Sequence, residues 1–312
     1  MVLIYNPMPK TMHHYAREFC ETIDRIGLTS ETLTPSVPLD GEGPHLRRAI
    51  SHVRAAVKVG RRRKATVAVW PSLGWIEAVL WRITSARASI IMHDPEVLRR
   101  QFFMGRRSAS LSSRFTNAHW ICHTHAAVES VLKQTGSTAA LAYHPILTNA
   151  KGSPRTVRPR VAVLGQYKPA RDIDILVQLA KNLKGSDYDL TITGRGWPPV
   201  DGWHVEDRFL SEAELDSILS ESSAVVLPYS VYWQSGIAIR AVEHRTHVVG
   251  KPTEFLTTLM GADYPGLVRD GAHHAWADAV HAVISAGPCD AHERYRSIVD
   301  ESWRLALATE FR

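Results

Sequence analysis

The sequence predicts an α/β protein built from two Rossmann-like, doubly wound parallel-sheet domains that face each other across a cleft. Three observations predict it. Short apolar runs of β type alternate with helical stretches from end to end, a break in composition falls near the middle, and the length suits two domains. At roughly 150 residues per domain, 312 residues make two. A chain of that size buries about 75% of its unfolded surface, so it needs neither disulfide nor metal to fold.

Val2 to Tyr5, Thr66 to Trp70, Ser89 to Met92 and His119 to Cys122 read as buried strands in the first half. Arg160 to Leu164, Asp189 to Thr193, Ala224 to Leu227 and His247 to Val249 do the same in the second. They are short and apolar, and turn-forming residues bound them. Helical spacing runs through Tyr15 to Ile26, His45 to Val59, Ala126 to Gln134, Asp174 to Leu183 and Glu212 to Glu221. Strands apolar on both faces belong in parallel sheets covered by helices. Thr148 to Arg160 holds two prolines, a glycine and four basic residues without apolar periodicity, which marks a linker. The expected domains are therefore 1–150 and 151–295.

Composition narrows the function. With 45% hydrophobic and 22% charged residues, the chain is neither a disordered tail nor a collagen-like repeat. No apolar run reaches the ~18 residues that cross a bilayer. Met1 leads straight into Val-Leu-Ile-Tyr-Asn-Pro, so no signal peptide is expected. The three cysteines, Cys20, Cys122 and Cys289, lie far apart and read as reduced core thiols of a cytoplasmic protein. The net charge of +6 implies an anionic partner: a nucleotide phosphate, an acidic membrane surface or nucleic acid.

Two segments of the second domain suit an anion. After the strand ending at Leu164 come Gly165, Lys168 and Arg171, ahead of a helix whose free amides favour negative charge. Lys168 and Arg171 add full charges, and Arg171 can grip phosphate oxygens in bidentate fashion. The alternative is a loop of solvated cations. The second segment is Leu227 to Glu243, where Ser235 can cap a helix and Gly236 lets a phosphate approach its first-turn amides. Its alternative is an ordinary structural cap, with Glu243 a surface carboxylate paired to Arg240 or Arg245. In the first domain His93, His123 and His144 each leave the end of a strand and can meet a sugar hydroxyl or a phosphate; the alternative is a hydrogen-bonded core histidine.

These residues resemble the family-4 type of GT-B-fold glycosyltransferases, and the likeness runs over nearly the whole chain. Gly165 to Asp174 is similar to that family's phosphate loop, with Arg171 at its lysine position and Gln166 in place of an arginine. Ser235 and Glu243 fall at the two glutamates of its Glu-x7-Glu motif, and Tyr229 to Gly236 matches a Tyr-x5-Ser-Gly variant. His93 matches a strand-end histidine beside the donor sugar. Ala118 to Val131 and Tyr143 to Leu147 are similar to two further strand ends. Asn6 to His14 replaces the glycine-rich first loop. Glu301 to Trp303 resembles a C-terminal helix, here 296–312, that crosses back to the first domain.

The resemblance implies transfer of a hexose from a UDP- or GDP-sugar to a hydroxyl acceptor, retaining configuration and needing no metal or other cofactor. His93, Lys168 and Arg171 are then the expected catalytic residues. Gly165, Gly194, Tyr229, Ser235, Gly236 and Glu243 join Lys168 and Arg171 in binding the donor, and Asn6, His13, Trp70, Asp94 and His123 line the acceptor side. Residues 45–64 form a basic amphipathic stretch that suits an anionic membrane or a polyanionic acceptor, which would place the cytoplasmic protein peripherally at the inner membrane face; the alternative is a surface helix ending in a solvated basic loop, and nucleic acid is a less favoured partner. The rival readings are a nucleotide-sugar-binding protein without turnover and a sugar-phosphate epimerase, which needs strand-end carboxylates that we do not locate.

Overall fold

The computed structural model describes residues 1–62, 64–84, 88–96, 103–115, 119–151, 158–229, 232–269 and 274–310. Residues 152–157 of the expected linker lie outside them, as do Arg63 of the basic stretch, Ala118, Ser230 and Val231 of the Tyr229–Gly236 segment, and residues 311–312. The chain divides into two compact units, Met1–Thr148 with Arg296–Arg312, and Asn149–Tyr295.

Among the described residues unit 1 holds six strands: β1 (Val2–Tyr5), β2 (Ser30–Leu33), β3 (Thr66–Ala68), β4 (Ala88–Ile91), β5 (His119–Cys122) and β6 (Ala139–Leu141). They pair in parallel in the order β2-β1-β3-β4-β5-β6. All four residues of β1 are buried, as an inner parallel strand covered on both faces requires. Helices α1 (His13–Arg25), α2 (His45–Arg62), α3 (Glu77–Ile83), α4 (Arg106–Phe115) and α5 (His125–Thr135) connect them. The α5 ends follow simple local rules. The Thr124 side chain accepts from Ala127 N–H at its start, and Gly136, at φ 69°, closes it in the left-handed conformation.

Beneath α2 lies a buried polar chain. The Tyr5 hydroxyl is 2.6 Å from His52 Nδ1, and His52 Nε2 lies 3.1 Å from Glu77 Oε1. All three side chains are almost wholly buried, and the Glu77 carboxylate also accepts from Leu73 N–H at 2.9 Å. Burial first, and the Glu77 charge second, push the Tyr5 phenol far above its ordinary value.

Unit 2 holds β7 (Arg160–Leu164), β8 (Asp189–Thr193), β9 (His204–Glu206), β10 (Ser222–Leu227) and β11 (His247–Gly250), again all parallel, in the order β11-β10-β7-β8-β9. Helices α6 (Ile173–Asn182), α7 (Glu212–Glu221), α8 (Gly236–Glu243), α9 (Glu254–Met260) and α10 (Ala275–Ser285) accompany them. Val161, Val163, Leu176, Leu179, Ile192, Trp276 and Val280 share one core cluster. The last helix, α11 (Ala291–Glu310), enters unit 1 from Arg296 on. There Trp303 is fully buried against Phe19, 4.5 Å between ring centroids, and donates to Tyr143 O at 2.9 Å. Arg25 forks onto Asp300 at 2.8 and 3.0 Å, a charge-assisted pair that holds α1 to α11.

β2, β6 and β9 are strands that the hydrophobic pattern does not reveal, and β3 stops at Ala68 rather than Trp70. Cys122 and Cys289 are buried free thiols, whereas Cys20 is only half buried.

Each sheet reverses its winding once: at β1/β3 in unit 1, and at β7/β10 in unit 2. In open parallel sheets the ligand crevice lies outside the carboxyl ends of the strands at that reversal. The chain there carries Asn6, Trp70 and, on the next strand, His93 in unit 1. In unit 2 it carries the segments beginning at Gly165 and at Pro228.

Candidate functional site

In unit 2 the turn after β7 is set by two glycines. Gly165 adopts φ 91°, a conformation that disfavours any side chain. A Cβ on Gly194, at the end of β8, would sit 2.2 Å from Gly165 O, so the two backbones can meet only if position 194 has no side chain. Trp197 seals this meeting by donating from Nε1 to Gly165 O at 2.8 Å. Arg171 lies inside the turn. Its guanidinium is stacked 5.0 Å from the Trp197 ring centroid and 4.9 Å from that of Tyr229, and Nη2 donates to Leu164 O at 2.7 Å. Burial pulls Arg171 below the ordinary guanidinium value and Tyr229 offsets this in part. The group still carries its charge, because arginine does not lose its proton in proteins. Arg171 is therefore a fixed positive charge in the wall. A mobile finger of the kind expected would need an exposed side chain, and this one is 5% exposed with its Nε buried and unbonded. Lys168 is exposed at the rim of the same turn, its carbonyl accepting from Arg171 N–H at 2.9 Å.

The Arg171–Tyr229 bridge and the Asp172 N–H bond to Pro228 O, 2.7 Å, bring the second loop alongside. Asp172, rather than Asp174, caps α6, accepting from Ile175 N–H. Ser235 caps α8 by accepting from Ala238 N–H at 3.3 Å. Gly236 is exposed, and a Cβ there would meet nothing within 4 Å, so a ligand has room to approach the start of α8. At the other end of α8, Glu243 is fully buried. The surface pairing to Arg240 is ruled out: Arg240 bonds to Glu212 at 2.7 Å and to Asp216. Asp216 also receives Lys151 Nζ at 2.5 Å, and Lys151 N–H donates to Glu243 O at 2.6 Å. Burial raises the Asp216 carboxyl, but Lys151 and Arg240 outweigh it and hold the carboxyl low.

In unit 1, the strand-end histidines come together around Tyr15 of α1. The Tyr15 ring lies 4.9 Å from His93, 5.8 Å from His123 and 4.9 Å from His144. Chemistry fixes the tautomers, because a carbonyl only accepts. His93 donates from Nε2 to Val69 O at 2.8 Å, His144 from Nδ1 to Pro145 O at 2.9 Å, and His123 from Nδ1 to Ala142 O at 2.5 Å. His123 Nε2 is then the acceptor for the Tyr15 hydroxyl at 2.9 Å. Burial, then the neighbouring His144 and His93, hold His123 well below the ordinary imidazole value. Burial lowers His144 to about 3, against the opposing effect of its bond to Pro145 O. Trp70 is half buried and stacked on His93 at 5.1 Å. Asn6 is buried and turns the chain, its Oδ1 accepting from Met8 N–H at 3.0 Å. Asp94 is half buried beside His93, and His13 is exposed in the first turn of α1.

The structure thus gathers His93, His123, Trp70 and Asp94 in unit 1, and Gly165, Lys168, Arg171, Gly194, Tyr229, Ser235 and Gly236 in unit 2. The sequence reading gave Tyr15, Trp197 and Asp172 no part in a site. Only Asp172 left a signal there, as an Asp three residues before the Ile175 amide that it caps.

No family model matches the chain, and no curated protein matches it. Solved structures do. Sucrose-phosphate synthase of Thermosynechococcus elongatus superposes with a TM-score of 0.65 at 14% identity, over 99% of this chain and 97% of that one. HepE of Anabaena, solved with UDP-glucose, gives 0.58 at 11% identity over 98% and 94%. TarM of S. aureus, in a complex that includes UDP, gives 0.59 at 13% identity over 83% of this chain, which spans only 59% of TarM. At these identities the likeness is one of fold: the chain has the two-unit Rossmann-like fold of GT-B glycosyltransferases.

Proposed function

We propose that the protein is a glycosyltransferase of the family-4 type, moving a hexose from a UDP- or GDP-sugar to a hydroxyl acceptor with retention of configuration. The observation that carries the reading is the mouth of unit 2, where Lys168, the fixed charge of Arg171 and the exposed start of α8 at Gly236 surround one turn. In the transfer the bond from the sugar's anomeric carbon to the diphosphate breaks and a bond to the acceptor oxygen forms. Cleavage leaves one more negative charge on the departing diphosphate, and the acceptor proton passes to it as the transfer completes. Preorganised cations and amides aimed at developing charge are the largest catalytic term in most enzymes. These groups supply it without a metal, so chelation should leave turnover unchanged. Glu243 is assigned to the donor ribose. His93, held in one tautomer by Val69 O, is assigned to the donor sugar. Trp70, Asp94, Asn6, His13 and His123 are assigned to the acceptor side. The UDP in the HepE and TarM complexes makes a UDP-sugar the first donor to try.

A second reading has one observation in its favour. Ser235 has no carboxylate to offer the sugar, and its hydroxyl is occupied in capping α8, as a binding protein without turnover would allow. Thermal melting against UDP-, GDP- and ADP-sugars identifies the donor, since a ligand bound to the native state raises Tm. Donor hydrolysis by the purified chain then decides between the readings; none with any donor that raises Tm leaves the binding protein.

A further inference from the structure

We propose that the outer face of α2 docks the protein on an anionic lipid bilayer. The helix carries six lysines and arginines and no carboxylate. Two of the six are used inside the unit: Arg48 donates to Leu39 O at 2.7 Å, and Arg62 pairs with Glu31. Among the described residues, no carboxylate pairs with Arg47, Arg54, Lys58 or Arg61. His52, Ala55, Ala56 and Val59 face the sheet side and are buried. The opposite side is apolar where a solvated helix would be polar: Leu46 is 72% exposed, Ile50 44% and Val53 42%, at the spacing that stacks side chains on one face.

At 3.6 residues per turn, Arg47, Arg54, Lys58 and Arg61 line one flank of that apolar stripe. Long basic side chains beside an apolar stripe can reach lipid phosphates while Leu46, Ile50 and Val53 enter the acyl boundary. The stripe borders a groove of about 420 Å³ between α2 and the loop after β2, lined by Val37, Pro44, Leu46, Arg47, Ile50 and Arg54. The loop is pinned there, with Val37 N–H donating to Ser51 Oγ at 2.8 Å and Ser36 Oγ 3.0 Å from the same oxygen. The groove is thus formed before any partner arrives.

Charge complementarity selects an anionic occupant, and the apolar stripe selects lipid over a nucleic acid backbone, which offers cations phosphates but gives Leu46 and Ile50 nothing to enter. A second copy of the chain would bring the same unpaired cations against these. The proposal goes beyond the donor reading and does not depend on it, since it is tested by partition rather than turnover.

The test is flotation of the full chain with vesicles of phosphatidylcholine alone and of phosphatidylcholine with phosphatidylglycerol, at low and high salt. The native protein should float only with the anionic vesicles and detach as salt rises. Changing Arg47→Gln and Arg54→Gln together should lower the partition about 25-fold, near fivefold per charge. Leu46→Ser, Ile50→Ser and Val53→Ser together should lower it at least about tenfold. All five side chains are exposed, so the variants should keep the native circular dichroism and melting, and the salt dependence of the native chain is an independent check. Failure to float with anionic vesicles overturns the proposal. So does equal binding to neutral ones, retention of duplex DNA in a gel without flotation, or a dimer that the serine variant dissolves without flotation.

Discussion

The carboxyl ends of the two sheets carry opposite kinds of surface. In unit 1 the chain gathers hydrogen-bonding rings: His93, His123 and His144 packed around Tyr15, each imidazole fixed by a backbone carbonyl. In unit 2 it gathers glycine, cations and an exposed helix start around a single turn. The difference teaches how one backbone plan is specialised. Uncharged rings with set tautomers suit hydroxyl-rich ligands, whereas bare amides and an arginine that cannot discharge suit phosphates. Burial is what separates them, because desolvation strips charge from imidazole and leaves it on guanidinium.

The comparison can be broken most forcefully at Trp197, which props both Gly165 O and Arg171. Trp197→Ala should cost about 3–5 kcal/mol in a urea titration. Trp70, half exposed over His93, has less to lose, and Trp70→Ala measured the same way should cost well under half as much. Equal losses would mean that the two surfaces are built alike. Next in size is Lys168→Ala. It should leave the urea midpoint in place and cut transfer about 100-fold or more, as loss of one such donor does. A rate within about threefold of the parent would remove Lys168 from the chemistry.

The pH dependence is a smaller effect and belongs to unit 1. His123 and His144 titrate lower folded than unfolded, so below the ordinary imidazole value near 6.5 the unfolded chain binds more protons. Stability from this source is fully present above about pH 6.5. It is lost as pH falls toward the folded value of His144, about 3, at about 1.4 kcal/mol per pH unit for each imidazole. Chemical denaturation at a series of pH values should show that slope, and His144→Leu should remove one imidazole's share of it. Smallest is Arg245, which sits just past α8 at φ 56°, a conformation glycine adopts more easily. Arg245→Gly should change stability by no more than about 1 kcal/mol, in the stabilising direction, read as a rise in Tm.

How much of this was legible in the sequence depends on where the signal lived. Strands β1, β5, β7 and β8 carry runs bounded by turn residues, and their limits match the hydrophobic pattern. β2, Ser-Glu-Thr-Leu, and β9, His-Val-Glu, lie at sheet edges with one neighbour each and are half exposed, so neither shows an apolar run. β6, Ala-Ala-Leu, is short and small, and α4 is dense in serine and arginine, which blurs its period. The strand-end histidines and the Ser235 cap could be placed because each is local to one element. Trp197 could not. Its partners Gly165 and Arg171 lie on another loop, and a contact across that sequence distance leaves no periodicity behind. For the same reason Arg171 was expected as a free grip: nothing local marks the two rings that hold it.

The near-collision of Gly194 with Gly165 has a practical consequence for anyone randomising this chain. A library saturated at position 194 should return glycine alone, even when survival demands folding and nothing more. A scan that equates intolerance with turnover would therefore score an architectural necessity as chemistry. The exposed Gly236 is the control, because room for a methyl group there lets intolerance be blamed on a missing ligand.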